Sequence, residues 1–474
     1  MIGRLALRTL GAHPVRTAIL AAGFGVGVSV MVILLGVAEV VLEQARAPEL
    51  AGGGDLVVTG TSMDELEAAR LVLAGPLSRE PLASQVKAAS PISRGTLYLV
   101  GDEGTTPVDA QAGIPSMERA LGDREVSGIA AWQDTEADRP WAARDPGDAL
   151  RAIDRFHRVP DVPERAASWA EWLYFNGRSK DVRFYLTFLV GPRTADGRRS
   201  AGVRLQLEHH GRMESYSDGA LLTDAEVAQA PDLTIAGSYV RLRGMRYDIH
   251  LDLASRDGRR LTGDLTVTGI PGRQLPPIEL TGAGGWRSGY VVPVMAGSAD
   301  GTLVAGGSRV SLTGASGYHD HNWGFWEGVS WQWGQVQHGD LSLVFGRVFP
   351  PADAADPARI PGFLGAIGPD GPMGYATGVT ITETDDPATH APTRIVIEGR
   401  SPSLDLTLDL GVESTERNRL AGPPSTPLST PLSTPLSTPL TFLQMRGRYR
   451  VTGTVGGKPV TFTAAGSAET FRGE

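Results

Sequence analysis

Residues 182–190 read VRFYLTFLV. Val182, Phe184, Leu186, Phe188 and Val190 alternate with Arg183, Tyr185 and Thr187. A period of two puts successive side chains on opposite faces of a strand, so one face is apolar and the other largely polar. The pattern recurs downstream. Tyr247, Ile249, Leu251 and Leu253 alternate with Asp248, His250 and Asp252, and Leu261, Leu265 and Val267 with Thr262, Asp264, Thr266 and Thr268. Asp196-Gly197, Asp257-Gly258, Asp300-Gly301 and Gly456-Gly457 supply dipeptides that tolerate positive φ, and a hairpin turn is expected at each. Many strands and almost no helical period after residue 171 predict a mainly β fold of antiparallel sandwich or barrel type. From Ser425 to Leu440 the sequence STPL repeats four times. A proline at every fourth residue excludes a central strand, so an extended solvated loop is expected between LDLTLDLGV and RGRYRVTGTV.

The chain has 474 residues, enough for about three domains. It contains no cysteine, which excludes disulfides, thiolate metal sites and a cysteine nucleophile. A net charge of −9 argues against nucleic acid as a partner, since that partner demands a basic surface.

Thr17 to Ala38 is a run of 22 residues without a charge. As a helix it would span roughly 33 Å, enough for a bilayer core. Arg4, Arg8 and Arg16 precede it, and Glu39 and Glu43 follow. Positive charge on the lead places the N-terminus in the cytoplasm and the bulk of the chain outside, in the periplasm or beyond the cell. Setting the three arginines aside, 44 less 3 leaves 41 basic against 53 acidic residues, so the translocated part carries −12. A signal peptide normally has a shorter apolar core, and the nearby A-x-A, Ala45-Arg46-Ala47, is followed by Pro48. The expectation is an uncleaved single-pass anchor in the inner membrane. The lead LALRTLGAHPVRTAIL, the glycine-studded helix and Gly52-Gly53-Gly54-Asp55-Leu56-Val57-Val58 resemble the start of a FtsX/MacB-type ABC transporter permease. No second apolar run of that length follows, so the chain lacks the other membrane helices of such a permease. The resemblance implies an ABC ATPase and permease as partners.

Beyond it, 45–127 is read as a permease-like extracytoplasmic segment and 128–170 as a linker. Within that linker ALRAIDRF could form one or two helical turns, ended by Pro160 and Pro163.

The chemistry concentrates in GYHDHNWGFWEGVSWQWG, residues 317–334, which holds four of the nine tryptophans. If extended, His319, His321 and Trp323 share one face, and Tyr318, Asp320 and Asn322 the other. Charged groups inside an aromatic barrel are costly unless paired, so the cluster is either a closed network or a site. Three readings follow from the residues. His319 and His321 form an H-x-H pair that a third ligand, His209, His210 or His338, would turn into a metal site. Alternatively, the side chains are a purely structural network. Lastly, a buried aspartate flanked by aromatics keeps its proton near neutral pH and acts as a general acid, with tryptophan faces stabilising a cation.

GYHDHNWG followed by W-x-W-G resembles the signature of the hydroxyneurosporene synthase (carotenoid 1,2-hydratase) family and its AttH-like relatives. The E-W-W-Y-F-x-G strand of that family is similar to Glu171-Trp172-Leu173-Tyr174-Phe175-Asn176-Gly177. The resemblance covers about 165–470. It implies tandem lipocalin-like antiparallel β-barrels behind the N-terminal transmembrane helix, the first over 171–315 and the second over 316–474. It also implies hydration of a terminal alkene without a cofactor or metal. On this chain Asp320 would protonate the alkene, Trp323, Trp331 or Trp333 would shield the cation, and His319 or His321 would orient the water. Glu171, Tyr174, Tyr318 and Asn322 complete the expected ligand-binding set. Two functions stay open: an accessory that binds an isoprenoid or other apolar lipid for an ABC transporter, and a carotenoid 1,2-hydratase-like hydro-lyase.

Overall fold

The computed structural model describes residues 65–473 apart from 76, 78–79, 81, 102–103, 144, 370 and 421–439, together with Val15. The apolar run 17–38, the strand expected at 52–58 and most of the STPL repeat therefore lie outside the described residues. Among the described residues no helix is long and apolar enough to cross a membrane. The chain divides into two compact units, one holding the described residues 88–135 and the other 65–87 and 136–473.

In the smaller unit β1 (Ile92–Gly101) and β2 (Gly104–Gly113) form an antiparallel hairpin. A helix follows over Pro115–Leu121, with proline in its first turn and Gly122 closing it at φ 84°.

The larger unit carries two β-structures. The first contains β3 (Trp169–Arg178), β4 (Val182–Arg193), β5 (Arg199–His209), β6 (Arg212–Leu222), β7 (Leu233–Ile235), β8 (Ser238–Arg243), β9 (Arg246–Ala254), β10 (Arg260–Gly269), β11 (Leu275–Thr281), β12 (Arg287–Ala305), β13 (Ser308–Ser311) and β14 (Ala315–Phe325). The ladder β10-β12-β14-β3-β4-β5-β6-β9 bends back on itself, because β9 also pairs with β10. Contact of β9 with β6 is a single bridge, Ser217 to Ala254. The alternating residues named from the sequence fill its interior: Phe184, Leu186, Phe188, Ile249, Leu251, Leu265 and Val267 are all buried.

The second β-structure is a closed antiparallel barrel of β15 (Ser330–His338), β16 (Leu341–Phe349), β17 (Gly362–Gly368), β18 (Gly371–Asp385), β19 (Pro392–Ser401), β20 (Leu404–Leu420), β21 (Leu440–Val455) and β22 (Lys458–Gly473). It has its own core around Phe345, Ile397, Leu408 and Tyr449. β20 and β21 stay paired as far as Leu420–Leu440, so the STPL repeat occupies the connection between two hairpin partners.

Three expectations are displaced. GYHDHNWG forms β14 between β12 and β3, so the first β-structure runs to Phe325 and the boundary falls in 326–329 rather than at 316. Asp300-Gly301 makes no turn but lies inside β12, where Gly301 at φ 142° lets the backbone of Asp264 and Leu265 approach closely. The stretch 128–170 does more than connect. It contains α2 (Pro146–Ile153), which packs against α1 (Glu65–Ala74) and buries Leu150 and Ile153 in the first core. Asp145 caps α2 by accepting from the Gly147 amide at 2.8 Å, with Pro146 as its first residue. The helix delivers Asp154, fully buried, at its C-terminal end.

Candidate functional site

β14 and β3 pair in register, His321 opposite Leu173 and Asp320 opposite Tyr174. Strand alternation then separates the cluster into two faces, as the sequence predicts. His319, His321 and Trp323 point into the first β-structure, while Tyr318, Asp320 and Asn322 face the second barrel.

On the inner face the histidines meet acids. His321 Nδ1 lies 3.0 Å from Asp154 Oδ1 and its Nε2 lies 2.8 Å from Glu171 Oε1. His319 spans from the Tyr174 carbonyl oxygen, 2.9 Å from Nδ1, to Asp154 Oδ2, 3.1 Å from Nε2. Tyr247 donates its hydroxyl to Asp154 Oδ2 at 2.7 Å. Glu171 accepts from the His157 amide at 3.0 Å and meets His157 Nδ1 at 2.7 Å. Rings lock the geometry: His319 stacks on Phe175 at 4.1 Å between centroids, and His157 on Trp323 at 4.0 Å. Gly289 on β12 leaves room for that indole, since a Cβ there would come within 2.3 Å of the Trp323 ring atoms.

The electrostatics follow from these contacts. Burial works to raise the Asp154 carboxyl, but the charges and hydrogen bonds of His319 and His321 outweigh it and hold the group below its ordinary value. Glu171 is lowered the same way, against burial, by His157 and His321. Burial alone would lower His321, yet two carboxylates hydrogen-bonded to its two nitrogens push it up to about 9. His321 therefore carries both protons at neutral pH, the state that satisfies both acceptors.

Among the described residues, none of the third ligands considered for the His319–His321 pair joins it. His209 and His210 pack against each other with tilted rings, 3.9 Å between centroids, at the end of β5, and His338 stacks on Phe462 at the end of β15. His157, Glu171 and His321 do converge, with ligand atoms within 4.8 Å of one another. They could hold a cation only by surrendering the hydrogen bonds that now join them.

The outer face is a different environment. Asn322 Nδ2 donates to Asp320 Oδ1 at 2.6 Å, Trp333 Nε1 donates to the Tyr318 hydroxyl at 3.1 Å, and Gln444 donates to the Tyr174 hydroxyl at 3.0 Å. Asp320 Oδ2 is buried with no hydrogen-bond partner. Burial raises Asp320 to about 7, although His319, Tyr318 and Asn322 pull the other way. Glu469 on β22 stands opposite Trp333 and Gln444 in the ladder, and burial followed by the Asp320 charge raises it well above the ordinary carboxylate range.

Between the two β-structures lies a cleft of about 970 Å³, part of it open to solvent. Tyr174, Asn322, Trp331 and Trp333 of the expected residues line it, with Trp172, Tyr290, Phe442, Phe471 and Glu469. Trp331 stacks on Phe471 at 4.0 Å. Glu171, His319, His321 and Trp323 sit on the far side of β3 and β14, away from the cleft, and Asp320 and Tyr318 lie behind its lining. Sequence reasoning missed Asp154, His157 and Glu469. The first two fell in the presumed linker, and Glu469 sits in SAET, an alternating strand without a motif.

No protein-family model matches the chain, and no curated protein matches it by sequence. Among solved structures it is similar to an AttH-type protein of Nitrosomonas europaea, at 13% identity and a TM-score of 0.41 over 64% of this chain and 92% of that one. It is similar to CghA in complex with Sch210972, at 12% identity and a TM-score of 0.43 over 67% of this chain and 94% of that one. A third similarity is to kievitone hydratase of Nectria haematococca, at 13% identity and a TM-score of 0.41 over 68% and 94%. These are similarities of chain path, and the fold itself rests on the strand pairings above.

Proposed function

We propose that the chain hydrates a carbon–carbon double bond of an apolar, isoprenoid-like substrate held between two lipocalin-like barrels. The observation that carries this reading is the pair of neighbouring buried carboxyls, Glu469 and Asp320, both raised, beside a cleft walled by aromatic rings. Glu469 lines the cleft and is the proton donor. Its proton goes to the less substituted alkene carbon, leaving a tertiary cation that the faces of Trp331, Trp333 and Tyr290 stabilise. Water adds to the cation, and its proton returns to the carboxylate left behind, so alkene and water give a tertiary alcohol with the enzyme restored. Asp320 disfavours ionisation of its neighbour and keeps the donor loaded. His319 and His321 act as positioning residues, since with Asp154 and Glu171 they fix β14 against β3.

A second reading rests on the apolar run 17–38 and the permease-like lead. On it the protein is anchored in the inner membrane, works with an ABC ATPase and permease, and carries the ligand unchanged. One experiment separates the two. The full chain is incubated with squalene or an acyclic carotenoid, and extracts are searched for a product one water heavier. Conversion that Glu469→Gln abolishes while polyene retention persists supports the hydratase; equal retention in both with no product supports the carrier.

A further inference from the structure

The aromatic cleft ends at a sharp change of chemistry. β3 contributes Trp172 and Tyr174 to the cleft and, on the same face, Asn176 and Arg178 to a second pocket of about 380 Å³. β15 switches in step, from Trp331 and Trp333 to Gln335 and Gln337. β22 switches too, from Phe471 and Glu469 to Ser467 and Ala465. Tyr185 lines both spaces. The six residue steps of β3 from Trp172 to Arg178 span roughly 20 Å, so the apolar and the polar space lie end to end along the same strands, with Tyr185 bordering both.

The polar half is built from donors. Arg178 and Arg183 line it, and no carboxylate does. Among the described residues neither arginine forms an ion pair; the nearby acids Glu208 and Glu413 are engaged by Arg446 and Arg448. Asn176 is 7% exposed, and its Nδ2 is buried without an acceptor. Its orientation is fixed, because Gln335 Nε2 donates to Asn176 Oδ1 at 3.2 Å. Burial, together with the positive charges of Arg183 and Arg448, holds the Arg178 guanidinium below its ordinary value. A wholly apolar ligand would leave the buried Asn176 Nδ2 unanswered and offer the two guanidiniums no anionic acceptor.

We propose that this pocket binds the anionic head, a carboxylate or phosphate, of an amphiphile whose apolar body lies in the aromatic cleft. The assignment rests on the reading of the cleft as a ligand site and narrows it from any apolar lipid to an acidic one. A head seated at Arg178 and Arg183 sets the depth of the chain, so one particular segment of it lies beside Glu469.

The test uses the full chain and five probes, dodecanoate, dodecyl phosphate, dodecanol, acetate and inorganic phosphate, with binding read by calorimetry and by tryptophan fluorescence. Dodecanoate or dodecyl phosphate is expected to bind at least about tenfold more tightly than dodecanol, the worth of one charge-assisted hydrogen bond. Arg183→Gln should erase that preference and leave dodecanol unchanged. Arg183 carries the test because Arg178 holds the Ala465 carbonyl and its loss could unsettle the barrel. Equal affinity for acid and alcohol, or equal weakening of both by Arg183→Gln, overturns the head-group site while the cleft reading stands. Tight binding of inorganic phosphate or acetate alone overturns the amphiphile in favour of a free anion. Failure of every probe removes the cleft reading along with the proposal.

Discussion

Asp320 and His321 are neighbours on one strand with opposite electrostatic fates, because alternation sends one to an aromatic interface and the other between two carboxylates. Asp320 is raised to about 7. Between its unfolded value near 3.8 and about 7, the native state keeps a proton the unfolded chain has lost, so stability falls as pH rises across that window. Asp320→Asn should flatten that stretch of the Tm-against-pH curve, and an unchanged slope would contradict the raised value. Catalysis has the same sign: turnover of a polyene should decline as pH rises past the raised value of Glu469, the proton donor, and Glu469→Gln should lower it about 10²-fold or more with binding retained. His321 loses its stabilisation in the same direction, but at higher pH. Its value of about 9 means that its stabilisation is full below 6.5 and is lost as pH rises through 9, while that of Asp154 is present above 3.8 and lost in acid. His321→Gln leaves buried carboxylates without their cation and should cost about 3–5 kcal/mol in urea unfolding at pH 6. A loss below about 1 kcal/mol would show that the network is not charged.

At the scale of elements, the sequence's period-two alternation announced β4, β9 and β10, and the two faces of β14 were legible from GYHDHNWG alone. What lay beyond reach was the partner of each face. Asp154 arrives at the end of α2, a single helix of PGDALRAI inside a stretch whose prolines and charges read as connection. Asp300-Gly301 misled for a related reason, since positive φ serves a bend within a strand as well as a hairpin turn. Close approach of β12 to β14 depends on another glycine, Gly289, whose missing side chain is filled by the Trp323 indole that stacks on His157. Gly289→Ala must push that ring aside. The expected cost is about 1–3 kcal/mol by denaturant unfolding, with a changed near-ultraviolet circular dichroism from the displaced tryptophan. A change within about 0.5 kcal/mol would mean that the indole moves freely.

For the larger unit as a whole, the cleft is a property of two β-structures meeting, and no local pattern encodes it. Its walls come from β3, β4, β5, β12 and β14 on one side and from β15, β16, β21 and β22 on the other, so Tyr174 and Gln444, which share a hydrogen bond, are 270 residues apart. The sequence could supply Trp331, Trp333 and Tyr174 as candidates but not Glu469, whose weakened acidity comes from burial and from the Asp320 charge where the second barrel closes over it. A ligand in this cleft touches both structures at once and binds only when both are folded. It must therefore stabilise them together, by about 2.7 kcal/mol at a hundredfold excess over Kd. Thermal unfolding of the full chain with increasing dodecanol should show one transition for the larger unit moving upward with concentration. Trp331→Ala removes the ring stacked on Phe471 and should abolish most of that shift while leaving the ligand-free Tm close to wild type, because Trp331 is only partly buried. Two transitions, of which only one responds to the ligand, would place the binding site within a single barrel.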